Sequence, residues 1–165
     1  MKTYDTMKRF ALHLITVMAC VTLFLHGLPA LGQAKDSLLG NWVLDRGNSV
    51  FDPDTTLQSR TVSFEVKDGG ISFVQKTVTG QGNTVQSDFV AKYDGKDVPI
   101  SGSQLASVAL KRIDANTVER AGKIGGKVVE TATIKVSNGG KTLTITTKGS
   151  VEDVDYSSTQ IYEKQ

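Results

Sequence analysis

Few residues in this sequence are of types that could support chemistry inside a folded domain, and two of them are arginines on one predicted hairpin. Arg112 and Arg120 flank the turn predicted at residues 114–116. In the antiparallel register that keeps the apolar residues together, both fall on the apolar face. A guanidinium that faces a sheet interior is costly unless it is paired or hydrated. The sequence therefore predicts either an anion or carboxylate site inside a cavity, or two long side chains that reach water from the edge of the sheet.

The start of the chain has the three-part layout of a secretory signal. Two basic residues precede an uncharged, mainly apolar run over residues 10–25, and small residues follow in the segment 29–32. This order is typical of a segment that is cleaved after export. We therefore predict a cleaved secretory signal over residues 1–32 and a secreted or periplasmic mature protein over residues 33–165.

Two alternatives remain for this leader. The uncharged stretch over residues 10–32 is long enough to cross a membrane, so an uncleaved anchor is the first alternative. The second concerns the start, because Asp5 is unusual in a basic leader and a start at Met7 would remove it. After cleavage we expect no membrane span, and we expect a monomer.

Removal of this leader changes the chemistry that the protein can offer. The single cysteine, Cys20, and both histidines, His13 and His26, lie within it. Cysteine nucleophiles, histidine bases, disulfides and the usual zinc sites are therefore excluded from the predicted mature chain. Its acidic and basic residues balance, and no nucleic acid partner is expected without a concentrated basic surface. We expect no catalytic residues, no metal and no cofactor, because the acidic turns match no complete calcium-loop pattern and no carboxylate pair spans a predicted cleft.

The predicted mature chain alternates polar and apolar residues over most of its length. Clear examples are residues 61–66, 128–136 and 142–146, and turn residues separate such runs at intervals of about a dozen residues. No segment shows a sustained helical period of apolar residues. The pattern predicts an all-β domain, an antiparallel up-and-down barrel of about 8–10 strands. Residues 45–59 are the longest irregular stretch and are predicted to form a loop or a short strand near the barrel mouth.

The hydrophobic phase also predicts the register of the central strands. A three-residue loop at residues 125–127 keeps the apolar side chains of both flanking strands on one face. A two-residue loop at Gly125-Gly126 would turn Val128, Ala132 and Ile134 outward. The inner face that results consists of Val108, Leu110, Val118, Ala132, Ile134, Val136, Leu143 and Ile145.

Both ends of the predicted domain carry short motifs of a known barrel family. Gly40-Asn41-Trp42 resembles the Gly-x-Trp of the lipocalins, and Tyr162-Glu163-Lys164 is similar to the last strand of the intracellular fatty-acid-binding proteins. The segments 91–103, 110–119 and 140–146 resemble a group of small secreted bacterial lipocalin-like proteins, most of which have no assigned function. The resemblance implies a lipocalin-like β-barrel of the calycin superfamily.

The resemblance also implies a barrel that binds a small molecule and is not an enzyme. The fatty-acid-binding proteins hold a ligand carboxylate with an Arg-x-Tyr pair on the last strand, and the matching positions here are Gln160 and Tyr162. Because this glutamine carries no charge, a carboxylate site would have to use Arg112 and Arg120. The candidate ligand-binding residues are Trp42, Tyr93, Arg112, Arg120, Gln160 and Tyr162.

These expectations lead to two functions of different classes. The first is an exported carrier of an apolar or amphipathic small molecule, hydrophobic or anionic, which requires an open interior. The second is a periplasmic or envelope protein-interaction or inhibitor module that acts through the barrel loops. It requires a packed interior and an exposed apolar patch on the loops. The volume and polarity of the barrel interior therefore distinguish the two functions.

Overall fold

The computed structural model describes residues 36–137 and 139–165, and the predicted leader with its boundary at residue 32 lies outside them. The described chain contains ten β-strands and no helix that is long and apolar enough to cross a membrane. The strands are β1 (Gly40–Asp52), β2 (Leu57–Lys67), β3 (Gly70–Thr79), β4 (Thr84–Ala91), β5 (Val98–Pro99), β6 (Ser107–Arg112), β7 (Thr117–Ile124), β8 (Lys127–Val136), β9 (Thr142–Val151) and β10 (Val154–Lys164). The predicted all-β class is confirmed.

All ten strands belong to one antiparallel sheet that curls into a nearly closed barrel. Its strand order is β4-β3-β2-β1-β10-β9-β8-β7-β6-β5. A bridge between Asp88 of β4 and Ser101, just after β5, joins the two edges through backbone hydrogen bonds of 2.9 and 3.2 Å. Gly102 follows with φ of 63°, and a Cβ there would lie 1.9 Å from the carbonyl oxygen of Gln86. The barrel therefore closes where only glycine fits, and the predicted barrel is confirmed.

The inner face predicted for the central strands is confirmed, since each of its residues is buried. The three-residue loop predicted for residues 125–127 is wrong, because Ile124 pairs with Lys127 across a two-residue glycine turn. Both glycines have positive φ, 56° and 78°, which gives the turn the same twist as its strands. A bulge at Val129 supplies the extra residue and restores the register further along β8.

The longest predicted irregular stretch, residues 45–59, is mainly strand, because β1 continues into it and β2 begins before its end. The pairing of β1 with β10 shifts register between Asp45 and Val50. There Ser49 Oγ donates to the Asp45 carbonyl oxygen at 2.6 Å and accepts from the Ile161 N–H at 2.9 Å. The serine side chain thus replaces a backbone partner, and residues typical of a turn form a bulge inside a strand.

One end of the barrel, which we call the closed end, is filled by apolar side chains. Trp42 is fully buried, and its indole N–H donates to the Leu38 carbonyl oxygen at 2.9 Å. Phe64, Phe73 and Phe89 form a chain of aromatic contacts, with ring centroids 5.4 and 4.9 Å apart. Burial of each such side chain contributes roughly 1.5–3 kcal/mol. These buried aromatic side chains make the closed end part of the apolar core.

Candidate functional site

The inner face changes from apolar to polar toward the end of the barrel that lies opposite the closed end. On β2, Arg60 lies on the same face of the strand as Val62 and Phe64. The same change from apolar to polar side chains occurs on the inner faces of β3, β4, β8, β9 and β10. The polar side chains enclose a cavity of about 340 Å³, which we call the polar cavity and which lies at the small end of the range for small-molecule sites. Its lining includes Phe51, Arg60, Arg120, Glu130, Tyr156 and Gln160.

Arg60 faces the polar cavity and is held by neutral partners. Its Nε donates to Thr77 Oγ1 at 2.9 Å, and its Nη1 donates to Gln160 Oε1 at 2.7 Å. The guanidinium carbon lies 5.7 Å from the ring centroid of Phe51, a cation–π contact. None of the ion pairs found within residues 36–137 and 139–165 includes Arg60.

Gln160 connects Arg60 with the buried part of β10. Besides the arginine, its Oε1 accepts a hydrogen bond from the Tyr162 hydroxyl at 2.6 Å. Its Nε2 donates to Ser158 Oγ at 2.9 Å. Because the amide oxygen meets two donors and the amide nitrogen meets an acceptor, the side chain is held in one orientation.

The second guanidinium of the polar cavity, that of Arg120, is paired with a carboxylate. Arg120 Nη2 donates to Glu130 Oε1, and the two side chains are only 13% and 11% exposed. The Tyr156 hydroxyl donates to Glu130 Oε2 at 2.9 Å. Burial, followed by the negative charge of Glu130, raises the pKa of Tyr156 to about 12, so its hydroxyl remains a donor at neutral pH. Arg120 Nε is buried without a hydrogen-bond partner in the described chain.

The polar cavity therefore contains one positive charge that no lining carboxylate balances. Glu130 is paired with Arg120, and the other lining carboxylate, that of Asp52, is exposed at the rim. The charge of Arg60 remains. A guanidinium binds a carboxylate or similar anion through two parallel, charge-assisted hydrogen bonds. The described residues show no group of three or more His, Cys, Asp or Glu side chains suited to a metal ion.

A second polar cluster, the Asp36 cluster, consists of Asp36, Tyr93 and Arg112. Arg112 Nη2 and the Tyr93 hydroxyl both donate to Asp36 Oδ2, the tyrosine at 2.7 Å. The guanidinium carbon of Arg112 lies 3.9 Å from the Tyr93 ring centroid. Burial, and then the hydrogen bond to Asp36, raise the pKa of Tyr93 above its usual value. These contacts tie the segment before β1 to β6.

The structure separates the residues that the sequence predicted for one site. The two arginines of the central hairpin do not share a cavity, because one faces Glu130 and the other faces Asp36. Ligand-binding roles for the predicted residues stay predictions. Their positions are Arg120 and Gln160 at the polar cavity, Tyr162 behind Gln160, Tyr93 and Arg112 in the Asp36 cluster, and Trp42 in the core of the closed end.

Arg60 is a candidate that was not predicted from the sequence pattern. Its spacing of two and four residues from Val62 and Phe64 places it on the inner face, by the same argument that selected Arg120. The alternation predicted for this strand begins at Thr61, one residue after Arg60. In the structure β2 begins at Leu57 and includes this arginine.

Comparisons with known proteins concern the fold. No family model matches the sequence, and no curated protein matches it. A search of solved structures found the zebrafish ileal bile acid-binding protein, crystallised in complex with cholic acid, at 12% sequence identity and a TM-score of 0.46. The match covers 78% of this chain and 99% of that chain. The predicted resemblance to small secreted bacterial lipocalin-like proteins stays a prediction, whereas the antiparallel barrel is established by the strand pairing itself.

The buried hydroxyl of Tyr162 predicts a loss of stability in alkaline solution. Tyr162 is fully buried, and burial raises its pKa from 10.0 to about 12, although the nearby Arg60 opposes this shift. The unfolded chain therefore releases the phenol proton at a lower pH than the folded chain. The contribution of Tyr162 to stability is complete below pH 10 and is lost as the pH rises to about 12, by roughly 2–3 kcal/mol.

Urea unfolding at a series of pH values from 8 to 11.5 tests this expectation. We expect a shallower decline of the free energy of unfolding above about pH 10 for Tyr162→Phe than for the wild type. The lost hydrogen bond to Gln160 lowers the stability of the variant by about 1 kcal/mol at every pH, so only the slope is diagnostic. Equal slopes for the two proteins would contradict the buried, neutral state of this tyrosine.

Proposed function

We propose that this protein is an exported, non-enzymatic carrier that binds a small amphipathic molecule through a negatively charged group in the polar cavity. The observation that supports the proposal is the position of Arg60, which faces the cavity and whose hydrogen-bond partners among the described residues, Thr77 and Gln160, are neutral. A ligand carboxylate would meet a guanidinium that is already oriented and has no competing carboxylate of the described chain.

Export is part of this proposal and has its own test. The leader would direct the chain to the periplasm or the exterior, where a monomer that begins at Gln33 would act. The intact mass of the protein recovered from the periplasm or the medium measures the cleavage. A recovered protein that retains residues 1–32 would contradict the proposal of a cleaved signal.

The alternative function, a protein-interaction or inhibitor module, requires a packed interior. The polar cavity of about 340 Å³ is large enough for roughly eleven waters at about 30 Å³ each. Its lining of guanidinium, amide and hydroxyl groups has directional hydrogen-bonding capacity. These properties support the carrier over the module.

Titration of the protein with hexanoate and with 1-hexanol, followed by calorimetry, tests the proposed function. The two probes have the same carbon chain, and only hexanoate carries a charge. We expect the wild type to bind hexanoate more tightly, and Arg60→Gln to lose about tenfold or more of this affinity, because a hydrogen bond to a charged group is worth about 1.5–3 kcal/mol. Binding of 1-hexanol should not change.

Arg46→Gln is the matched control for this experiment. The guanidinium carbon of Arg46 lies 4.9 Å from the ring centroid of Phe51, which Arg60 also contacts. Arg46 is paired with the exposed Asp54 at 2.7 Å and does not line the polar cavity. Its removal should leave hexanoate binding unchanged. No binding of hexanoate to the wild type, or equal binding by wild type and Arg60→Gln, would overturn the proposed site.

A further inference from the structure

The wall of the barrel divides between β8 and β9 next to the polar cavity. The pairing of these strands ends at Glu130 and Gly149. Beyond this pair β8 continues toward Lys127 beside β7, and β9 continues to Val151 beside β10, but the two strands do not pair with each other. The sheet therefore has a lateral break between two strands that are each supported on their other side.

A bulge on β8 lies directly beside this break. Val129 is the extra residue of the bulge. It follows Lys127 and Val128, which pair with β7 and not with β9. A bulge bends its strand and increases the local twist. The pairing of β8 with β9 ends at Glu130, directly beside the bulge, and residues 127–129 have no partner on β9.

A groove of about 510 Å³ occupies the break and adjoins the polar cavity. Val128 and Val129 form part of its wall, and Val128 is 54% exposed. The groove and the cavity share four lining residues, which are Asp52, Glu130, Tyr156 and Ser157.

The partition between groove and cavity is only one layer of side chains. The ring of Tyr156 lies against Gly149, where an added Cβ would be 2.4 Å from the Tyr156 Cζ. Above this glycine the Tyr156 hydroxyl reaches Glu130 at 2.9 Å. Because Gly149 has no side chain, Tyr156 alone covers the wall at this point.

We infer that the groove between β8 and β9 is a second subsite, which holds the apolar part of the ligand whose charged group lies at Arg60. This inference rests on the proposed function, because it assigns a place to the remainder of the same molecule. The lining of the polar cavity is mainly polar, whereas the groove offers the exposed Val128 and the half-buried Val129 directly beyond the shared residues. The occupant of the groove is an aliphatic chain that leaves the cavity beside Tyr156.

A series of linear monocarboxylates from butanoate to decanoate, titrated below their aggregation concentrations, tests the subsite. For the wild type we expect affinity to rise about fourfold for each methylene that enters the groove. Val128→Asn should reduce the affinity for decanoate at least fivefold and leave that for butanoate unchanged. Val66→Asn is the matched control, because Val66 is 69% exposed on β2 and does not line the groove.

Amide chemical shifts provide a second measurement that does not depend on a variant. Decanoate should shift the amides of residues 128–130 and 148–150, whereas butanoate should shift those around Arg60 and Gln160 alone. The same dependence on chain length in Val128→Asn and wild type, together with unshifted amides at residues 128–130, would overturn the subsite and leave the proposed function standing. If no monocarboxylate binds the wild type, the proposed function fails and the subsite fails with it.

Discussion

Replacement of Glu130 by alanine is expected to lower the free energy of unfolding by about 3–5 kcal/mol. Glu130 accepts hydrogen bonds from Arg120 and Tyr156, and the side chains of the ion pair are 13% and 11% exposed. Without the carboxylate, the Arg120 charge stays on a side chain that is only 13% exposed. Its Nε already lacks a partner among the described residues, so the cost of desolvating the guanidinium is no longer offset. Urea unfolding at pH 7 measures the change.

Two further variants separate burial of the charge from loss of a contact. Asp54→Ala breaks an exposed ion pair with Arg46 and should cost less than about 1 kcal/mol. The double variant Arg120→Met, Glu130→Leu removes both buried charges and should recover most of the loss, because neither desolvation cost remains. A loss below about 1 kcal/mol for Glu130→Ala would show that water screens the Arg120 charge.

Replacement of Gly102 by alanine is expected to cost about 3–4 kcal/mol of stability. The φ of 63° at Gly102 costs an alanine about 1–2 kcal/mol. The new Cβ would also lie 1.9 Å from the Gln86 carbonyl oxygen. Because this neighbour is backbone, relief requires β4 to move away, which would break the two hydrogen bonds between Asp88 and Ser101 at about 0.5–1.5 kcal/mol each. Thermal and urea unfolding measure the loss.

Gly95→Ala is the matched control for barrel closure. Gly95 has φ of 73° and no heavy atom within 4 Å of an added Cβ. Its replacement should therefore cost only the conformational term of about 1–2 kcal/mol. If both glycine variants lose the same stability, the close approach to Gln86 does not limit closure of the barrel.

The faces of the central strands could be predicted because a strand has a period of two residues. A slip of one residue on β6 or β7 would have turned Lys111 and Glu119 into the core and Leu110 into water, which is costly enough to select one register. The structure places Lys111 opposite Glu119, outside the barrel. Where one face is strongly apolar, the pattern of the sequence is therefore sufficient to predict pairing.

The bulges and the partners of the arginines could not be predicted in this way. The bulge at Val129 adds one residue to β8 and so shifts the alternation of inward and outward side chains by one. A turn that is one residue longer would produce the same pattern, so the sequence does not distinguish the two. The partner of Arg112 is another case, because Asp36 lies 76 residues away in sequence. Contacts at this distance depend on strand tilt and on how the barrel closes, and no local pattern contains that information.

The strand order has a consequence for the folding pathway. Every strand pairing in the described chain except that of β1 with β10 joins strands that follow each other in sequence. Such hairpins form between nearby residues, and the entropy lost in closing their loops is small. The pairing of Trp42 with Lys164 joins opposite ends of the domain. This step closes the longest loop of the sheet and has the largest single loop-closure cost, so we expect docking of β1 on β10 to limit the folding rate.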